Sequence, residues 1–457
     1  MKLYLIPSPK MITYLGGFTK NSVPVLKIED KTIKNEAFEL FIDENITIKA
    51  SSPSGFFYAE GALEQIKFQC GVNLPKVVIR DEPKYSYRSF MVDCARHFFS
   101  VKEIKEMIDI CAKLRFNVFH WHLTDDQGWR IESEKYPELV RLGSVRQGDN
   151  FGPLKHSRTY AAYYSKKQIK DIISYAHQRH MRVLPEIDMP GHVSAMLKAI
   201  PHLSCKGEEV MVKNRQGIFK DVICAGKDSS YETLFSILDE ICNLFPDEYI
   251  HIGGDEVPKD SWQSCPHCQA KIKAEGLHSE EELQGYFMNT IASYLKQKGK
   301  SVITWNESLK SGMLKNDIIV QMWMDRQKLS AKCNNQVIVS DFYHYYADYP
   351  YEMTPLKKTY DYNPHISGNV IGVDTPIWTE FVDSFKYMQF MCFPRFIAVA
   401  ESAWSIFKLP YKEFKTQIFE LYPFFGITHG AKENQVDPPI YSRGHKMIKY
   451  SKEHFTK

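Results

Sequence analysis

The strongest constraint on this chain is a strand–helix alternation that begins after residue 84. Short apolar runs rich in β-branched and aromatic residues stand at Ser89–Asp93, Asn117–His122, Arg182–Ile187, Tyr249–Ile252, Ser301–Trp305, Ile318–Trp323, Val337–Ser340 and Val370–Trp378. Helical patterns lie between most of them, as at Val101–Leu114, Lys167–Gln178, Tyr231–Leu244 and Glu280–Lys298. Eight strands with crossover helices predict a (β/α)8 TIM barrel with some long loops. A doubly wound open sheet is the alternative. Such sheets usually carry a Gly-rich phosphate loop after the first strand, and none stands here.

Before the barrel, residues 1–83 read as a small α/β domain of sheet plus helix. Phe38–Ile42 and Ile46–Ile48 flank an Asp-Glu-Asn turn, a helical pattern opens at Ser54-Gly55, and Val77–Ile79 forms a further strand. Asp81-Glu82-Pro83 breaks the pattern and marks the boundary. The barrel is expected over 84–430 and a C-terminal tail over 431–457, its basic end from Arg443 to Lys457 a solvated surface.

Composition narrows the function classes. Lys plus Arg is 58 against 55 for Asp plus Glu, too balanced to predict nucleic acid or an anionic membrane as partner. No apolar run approaches the ~18 residues of a spanning helix. The run Leu3–Ile6, cut by Pro7, is too short for a signal peptide. Ten cysteines without a disulfide framework read as mostly reduced, which fits the cytoplasm. The oligomeric state stays open.

Polar and aromatic residues gather where the strands end. They include Asp93 with Arg96-His97, His120-Trp121-His122 with Asp125-Asp126, Glu186-x-Asp188 with His192, and Trp305-Asn306-Glu307. Trp323 and Trp378-Thr379-Glu380 follow. In a barrel these ends converge on one mouth, where active sites sit. Any one of them alone reads equally well as a helix cap or a satisfied polar core residue; together they favour a site.

The sharpest piece is Gly253-Gly254-Asp255-Glu256. Neighbouring acids on a regular strand point to opposite faces, but the two glycines can turn both into one cavity. Ordinary glycosidases place two carboxylates roughly 5–9 Å apart, astride the scissile bond. Sequence neighbours cannot readily do that. If this is a glycosidase, its nucleophile can come from the substrate: a 2-acetamido group can supply its own carbonyl oxygen.

At this point the chain resembles a known family. His251-x-Gly-Gly-Asp255-Glu256 is similar to the signature of the family 20 glycoside hydrolases, the β-N-acetylhexosaminidases. The resemblance extends in order through Asp93-Cys-Ala-Arg96-His97-Phe98, His120-Trp-His-Leu-Thr-Asp125-Asp126-Gln-Gly-Trp129-Arg130, Pro185-Glu-Ile-Asp188-Met-Pro-Gly-His192 and Ala400-Glu401-x-Ala-Trp404-Ser405. It implies a retaining exo-glycosidase that removes terminal β-linked N-acetylglucosamine or N-acetylgalactosamine from a small oligosaccharide or glycoconjugate, through an oxazolinium intermediate and with no cofactor or metal.

The resemblance also implies roles. Glu256 would be general acid, then base. Asp255 would hold the acetamido N–H, and Tyr346 its carbonyl. Trp305, Trp323 and Trp378 would wall the sugar. Arg96 would bind the 3- and 4-hydroxyls, Glu380 the 4-hydroxyl and Asp348 the 6-hydroxyl. Asp125, Asp188 and His192 would support the pocket and tune the acid. This division needs Glu256 protonated, by burial and its neighbour's charge, and Asp255 ionised.

Some segments depart from the family pattern. The fifth strand ends Trp305-Asn306-Glu307 where Trp-Asp-Glu is common, and Tyr343, Tyr345 and Tyr349 compete with Tyr346. No tryptophan stands between Trp323 and Trp378, so one wall is more open or filled by a tyrosine. Cys265-Pro-His-Cys268 has a zinc-like spacing, but no second pair follows it, and it reads as a loop opening a helix. The rival readings are a carbohydrate-binding protein on an inactive barrel and a related enzyme that releases disaccharides.

Overall fold

The computed structural model describes residues 3–324, 333–366 and 368–440, with 444, 446, 447, 449, 450 and 452. The chain opens with strands β1 (Met11–Lys20), β2 (Val25–Glu29), β3 (Phe38–Ile42), β4 (Ile46–Ala50) and β5 (Asn73–Asp81), in the sheet order β1-β5-β3-β4-β2. β3 and β4 alternate buried with half-buried residues, so one face carries Phe38, Leu40, Ile42, Ile46 and Ile48. Helix α1 (Pro53–Cys70) covers that face with Tyr58, Ala59, Ala62, Leu63 and Ile66. Ser52 caps it by accepting from the Gly55 amide, and Pro53 supplies its pre-set first turn. β1 and β2 are not evident in the sequence because they are the two edges and carry no buried stripe.

The strands β6 (Tyr87–Asp93), β7 (Val118–Asp125), β11 (Arg182–Ile187), β12 (Tyr249–His251), β13 (Ser301–Trp305), β14 (Ile319–Met322), β15 (Val337–Val339) and β16 (Val370–Ile377) are all parallel to their neighbours. β16 returns to β6 in the register Gly372↔Tyr87 to Ile377↔Val92, which closes the eight-stranded barrel. A side chain at Gly372 would place its Cβ 1.8 Å from the Tyr87 carbonyl oxygen, so glycine is required at the seam. Barrel helices follow the expected segments; those at Val101–Lys113 and Lys166–His177 each begin with a serine capping box.

Side chains inside the barrel form layers. Tyr87, Val118, Leu184, Ile303, Ile319 and Ile338 plug the bottom. Above them lies a buried polar layer of His120, Glu186, His251, Gln321 and Asp374, and above that the mouth. Two excursions are not evident from the hydrophobic pattern. β8 (Gly128–Trp129) turns back on β7, and β9 (Val145–Phe151) pairs with β10 (Leu154–Ala161) as a hairpin whose second strand is mostly exposed.

The small sheet is locked to the barrel's rear. Asp81 pairs with Arg115 at 2.5 Å and accepts from Trp404 Nε1 at 3.0 Å, while Glu36 meets Arg88 at 2.7 Å. Residues 431–437 pack against the barrel, while the described residues of 443–457 are exposed apart from the half-buried Tyr450. Ala431 and Val436 are buried, Asp437 accepts from the Lys357 amide, Lys446 meets Glu352 at 2.6 Å, and Tyr450 sets its ring edge-on to Phe381. Local charge patterning could not show these long-range contacts. Of 443–457, only 444, 446, 447, 449, 450 and 452 are among the described residues. Among the described residues, no helix is long and apolar enough to cross a membrane.

Candidate active site

The acid pair sits in a backbone that only glycine could start. Beyond β12, Gly253 and Gly254 have φ of +66° and +99°, and Glu256 itself has +47°. A Cβ on Gly253 would lie 1.7 Å from Asp188 Oδ1, and one on Gly254 2.5 Å from Ser308 Oγ. The neighbouring strand fastens this turn. Thr304 Oγ1 and the Trp305 amide donate to the Gly253 carbonyl at 2.6 and 2.9 Å, and Gln284 donates to that of Gly254 at 2.8 Å. The Glu256 N–H donates to Glu307 Oε2 at 2.7 Å. Neighbouring acids therefore turn toward one side chain. His192 Nε2 lies 3.4 Å from Glu256 Oε2 and 3.8 Å from Asp255 Oδ2.

The opposite edge of His192 is anchored in acids. Its Nδ1 is 3.2 Å from both Asp125 Oδ1 and Asp126 Oδ2. Asp126 is fixed by the amide and hydroxyl of Ser194, and Asp125 takes His122 Nε2 at 2.9 Å and Arg96 at 2.7 Å. Burial works against the His192 cation, but these carboxylates overcome it and hold its pKa well above the usual value. Burial likewise opposes ionisation of Asp125, yet Arg96 and His192 keep its carboxyl well below the usual range.

Asp255 departs from expectation. Burial pushes its carboxyl up to about 8, with the Glu256 charge adding and His192 opposing. Asp188, buried beneath it and facing it, is also raised. The expected ionised partner is thus the carboxyl that its surroundings hold protonated. The cause is its depth: Asp255 Oδ1 is buried and has no hydrogen-bond partner among the described residues.

Aromatic residues form the rest of the mouth. The Trp378 ring centroid is 6.0 Å from that of Trp305 and 6.2 Å from that of Tyr346, and Tyr346 stacks with Trp323 at 6.2 Å and 14°. Trp305 is only 1% exposed and donates its Nε1 to Glu186 at 2.7 Å, which makes it floor rather than wall. Of the competing tyrosines, Tyr343 is exposed, Tyr345 packs edge-on against Tyr362, and Tyr349 borders Phe342. Tyr346 alone stands between Trp323 and Trp378. Phe342 stands edge-on to Trp323, and Tyr349 is tilted against Phe342.

Arg96 spans the far side. It is bonded to Gln127 and Asp93, lies 3.8 Å from Glu380, and sets its guanidinium 5.1 Å from the Trp378 ring centre. Burial pushes Asp348 up to about 8, helped by Glu380, and its Oδ1 finds no partner among the described residues. Every residue proposed for the site from sequence is therefore gathered at this mouth or directly beneath it.

Three supports lay outside the candidate set. Glu186 is the hub of the polar layer, bonded to Trp305, His251, His120 and His122 at 2.6–3.1 Å. Gln127 orients Arg96, and Glu307 holds the Glu256 amide. Glu186 and Glu307 both end strands, the signal that marked the other residues. Histidine and acid groups here lie within ligand distance of one another, but direct hydrogen bonds join them in pairs.

Comparison with known proteins agrees with this geometry. Residues 85–406 match the catalytic domain of glycosyl hydrolase family 20, and residues 13–82 match domain 2 of that family. The chain is 37% identical to a beta-hexosaminidase of Porphyromonas gingivalis over 82% of its own length, and it spans about half (51%) of that protein. It is 30% identical to a beta-hexosaminidase of Akkermansia muciniphila, covering 88% of this chain and 86% of the relative. A beta-N-acetylhexosaminidase structure from Bacteroides fragilis superposes with a TM-score of 0.84 at 29% identity, covering 95% of this chain and 99% of that one. An exo beta-N-acetylglucosaminidase from Vibrio harveyi, in complex with N-acetylglucosamine, gives 0.85 at 28% identity, covering 94% and 78%. By its order of motifs, its closed barrel and these matches, the chain belongs to glycosyl hydrolase family 20.

Proposed function

We propose that the protein is a retaining exo-β-N-acetylhexosaminidase that hydrolyses terminal β-linked N-acetylglucosamine or N-acetylgalactosamine with the help of the substrate's own acetamido group. The observation that carries this reading is the acid pair. Asp255 and Glu256 turn to the same side, facing His192, instead of standing on opposite sides of a bond.

In the first step the acetamido carbonyl oxygen attacks C1, and the C1–O bond to the leaving group breaks. Glu256 gives its proton to the departing oxygen. The sugar becomes an oxazolinium ion, its positive charge shared with the ring nitrogen. Asp255 accepts the hydrogen bond from that N–H. Because its pKa is raised, Asp255 must give its proton to solvent water as substrate binds; the carboxylate left behind is then stabilised by the positive charge that develops beside it, which offsets its burial. Tyr346 donates its hydroxyl to the acetamido oxygen. In the second step Glu256, now a carboxylate, takes a proton from water; the water attacks C1, the C1–oxazoline oxygen bond breaks, and configuration is retained.

The sugar would stack on Trp378 and lie over Trp305, with Trp323 beside the acetamido methyl. Arg96, Glu380 and Asp348 would read the 3-, 4- and 6-hydroxyls, and the unpartnered Oδ1 of Asp348 is available to one. A cavity of about 380 Å³ bordered by Glu256, Gly254, Val257, Glu307 and Lys310 opens beside the acid and would take the leaving group. The substrate is a small oligosaccharide or glycoconjugate. A cytoplasmic setting suits the ten unpaired cysteines. Hydrolysis of an aryl N-acetylglucosaminide tests the proposal: Asp255→Asn and Glu256→Gln should each lose turnover while the fold survives, and wild-type rates in both variants would refute it.

A further inference from the structure

The sequence reading of Cys265-x-x-Cys268 is a loop opening a helix, since no second pair follows. The structure bears out that helix start, with Cys265 at the N-cap of Pro266–Ala274, and it also brings in a second pair from upstream. Cys205 Sγ lies 3.9 Å from Cys268 Sγ, and Cys224 Sγ lies 3.7 Å from both Cys265 Sγ and Cys268 Sγ. All four sulfurs lie within 4.8 Å of one another. These distances are far beyond the ~2.05 Å of a disulfide. They match the edge of a tetrahedron of sulfurs around zinc, about 3.8 Å for Zn–S bonds of about 2.3 Å.

The surroundings resemble a ligand cage more than a packed core. Cys224, Cys265 and Cys268 are buried and Cys205 half-buried, yet thiols are weak hydrogen-bond partners and thiolates at this spacing repel unless they share a cation. The Gly226 amide is hydrogen-bonded to the Cys224 sulfur, the kind of outer contact that orients a metal ligand. A Cβ at Gly226 would lie 2.2 Å from the His267 carbonyl carbon, so glycine lets the two ligand segments meet. Lys227 Nζ ties the Ser204 carbonyl at 2.7 Å beside Cys205. A cleft of about 590 Å³, bordered by Cys205, Lys206, Lys213 and Cys265, gives an ion a way in.

We propose that Cys205, Cys224, Cys265 and Cys268 bind one Zn2+ in a closed four-thiolate site that braces the active-site loops. With four protein ligands it leaves no open position, so its role is structural. One ligand segment runs by Ile223, whose amide donates to the Pro190 carbonyl at 2.9 Å, two residues before His192. The other opens the helix Pro266–Ala274, which follows the Asp255-Glu256 turn. The ion would therefore join the loop after β11 to the loop after β12.

The test is metal analysis of the full chain, purified under reducing conditions, incubated with zinc chloride and desalted. Wild type should carry one zinc per chain, with an X-ray absorption spectrum of four sulfurs at about 2.3 Å. Cys242→Ser should keep the zinc. Cys265→Ser/Cys268→Ser should lose it and melt at a lower temperature. Should that variant fail to fold, cobalt(II) added to wild type should give the visible absorption of a tetrahedral thiolate complex, abolished by zinc. Substoichiometric zinc in wild type without that cobalt spectrum, zinc retained by the double variant, or two disulfides among these cysteines would overturn the proposal.

Discussion

His192 Nε2 stands 3.4 Å from Glu256 Oε2, and both residues hold left-handed backbone conformations, φ +54° and +47°. Non-glycine residues in that region are strained by roughly 1–3 kcal/mol each, and such strain gathers at working sites. Here it aims an imidazole backed by Asp125 and Asp126 at the carboxyl group proposed to give and take a proton.

Removing that imidazole should therefore impair proton transfer more than binding. His192→Asn should lower kcat roughly 10²-fold or more on substrates with poor leaving groups, with a smaller change in KM. Steady-state kinetics on paired aryl glycosides of differing leaving-group pKa check this.

Asp255→Asn should trade stability against activity. A carboxyl raised from 3.8 to about 8 keeps its proton when folded, so its contribution is most favourable at low pH and is lost as pH rises toward 8. The neutral amide escapes this. The variant should melt a few degrees above wild type at pH 8, with little gain at pH 4, and should lose roughly 10²–10³-fold in kcat. Melting curves at the two pH values, with rates alongside, provide the check.

Gly253→Ala should be damaging in its own right. The added methyl would lie 1.7 Å from Asp188 Oδ1 and strain a φ of +66°. A destabilisation of about 2–4 kcal/mol by denaturant unfolding is expected, together with loss of turnover. Gly61, where a Cβ meets nothing within 4 Å, is the control.

Glu186→Gln should unsettle the pocket from below. The carboxylate joins His120, His122, His251 and Trp305, so losing its charge leaves buried histidines short of a partner. About 3–5 kcal/mol of stability should be lost, seen as an earlier urea midpoint.

The barrel strands were legible because they are short apolar runs, most of them separated by helical patterns; Arg182–Ile187 and Ser301–Trp305 coincide with the strands observed. The edge strands Met11–Lys20 and Val25–Glu29 were not, since periodicity marks only an element with a buried face. In the mouth, residue identity at strand ends was enough to name Arg96, Asp125, His192 and Trp378. It could not reveal the burial of Asp255 Oδ1 over Asp188, which stands at the end of the preceding barrel strand, nor that Trp305 is buried beneath the pocket. The four cysteines escaped for the same reason: their partnership joins residue 205 to residue 268, and spacing rules see only near neighbours.

The central claim is that the substrate's amide oxygen, not a protein carboxylate, attacks C1. Comparing 4-nitrophenyl β-N-acetylglucosaminide with 4-nitrophenyl β-glucoside at equal concentration tests it most directly, because the leaving group is the same and only the acetamido group differs. Attack by the acetamido oxygen predicts turnover of the first and none detectable of the second; hydrolysis of the plain glucoside at a comparable rate would contradict it.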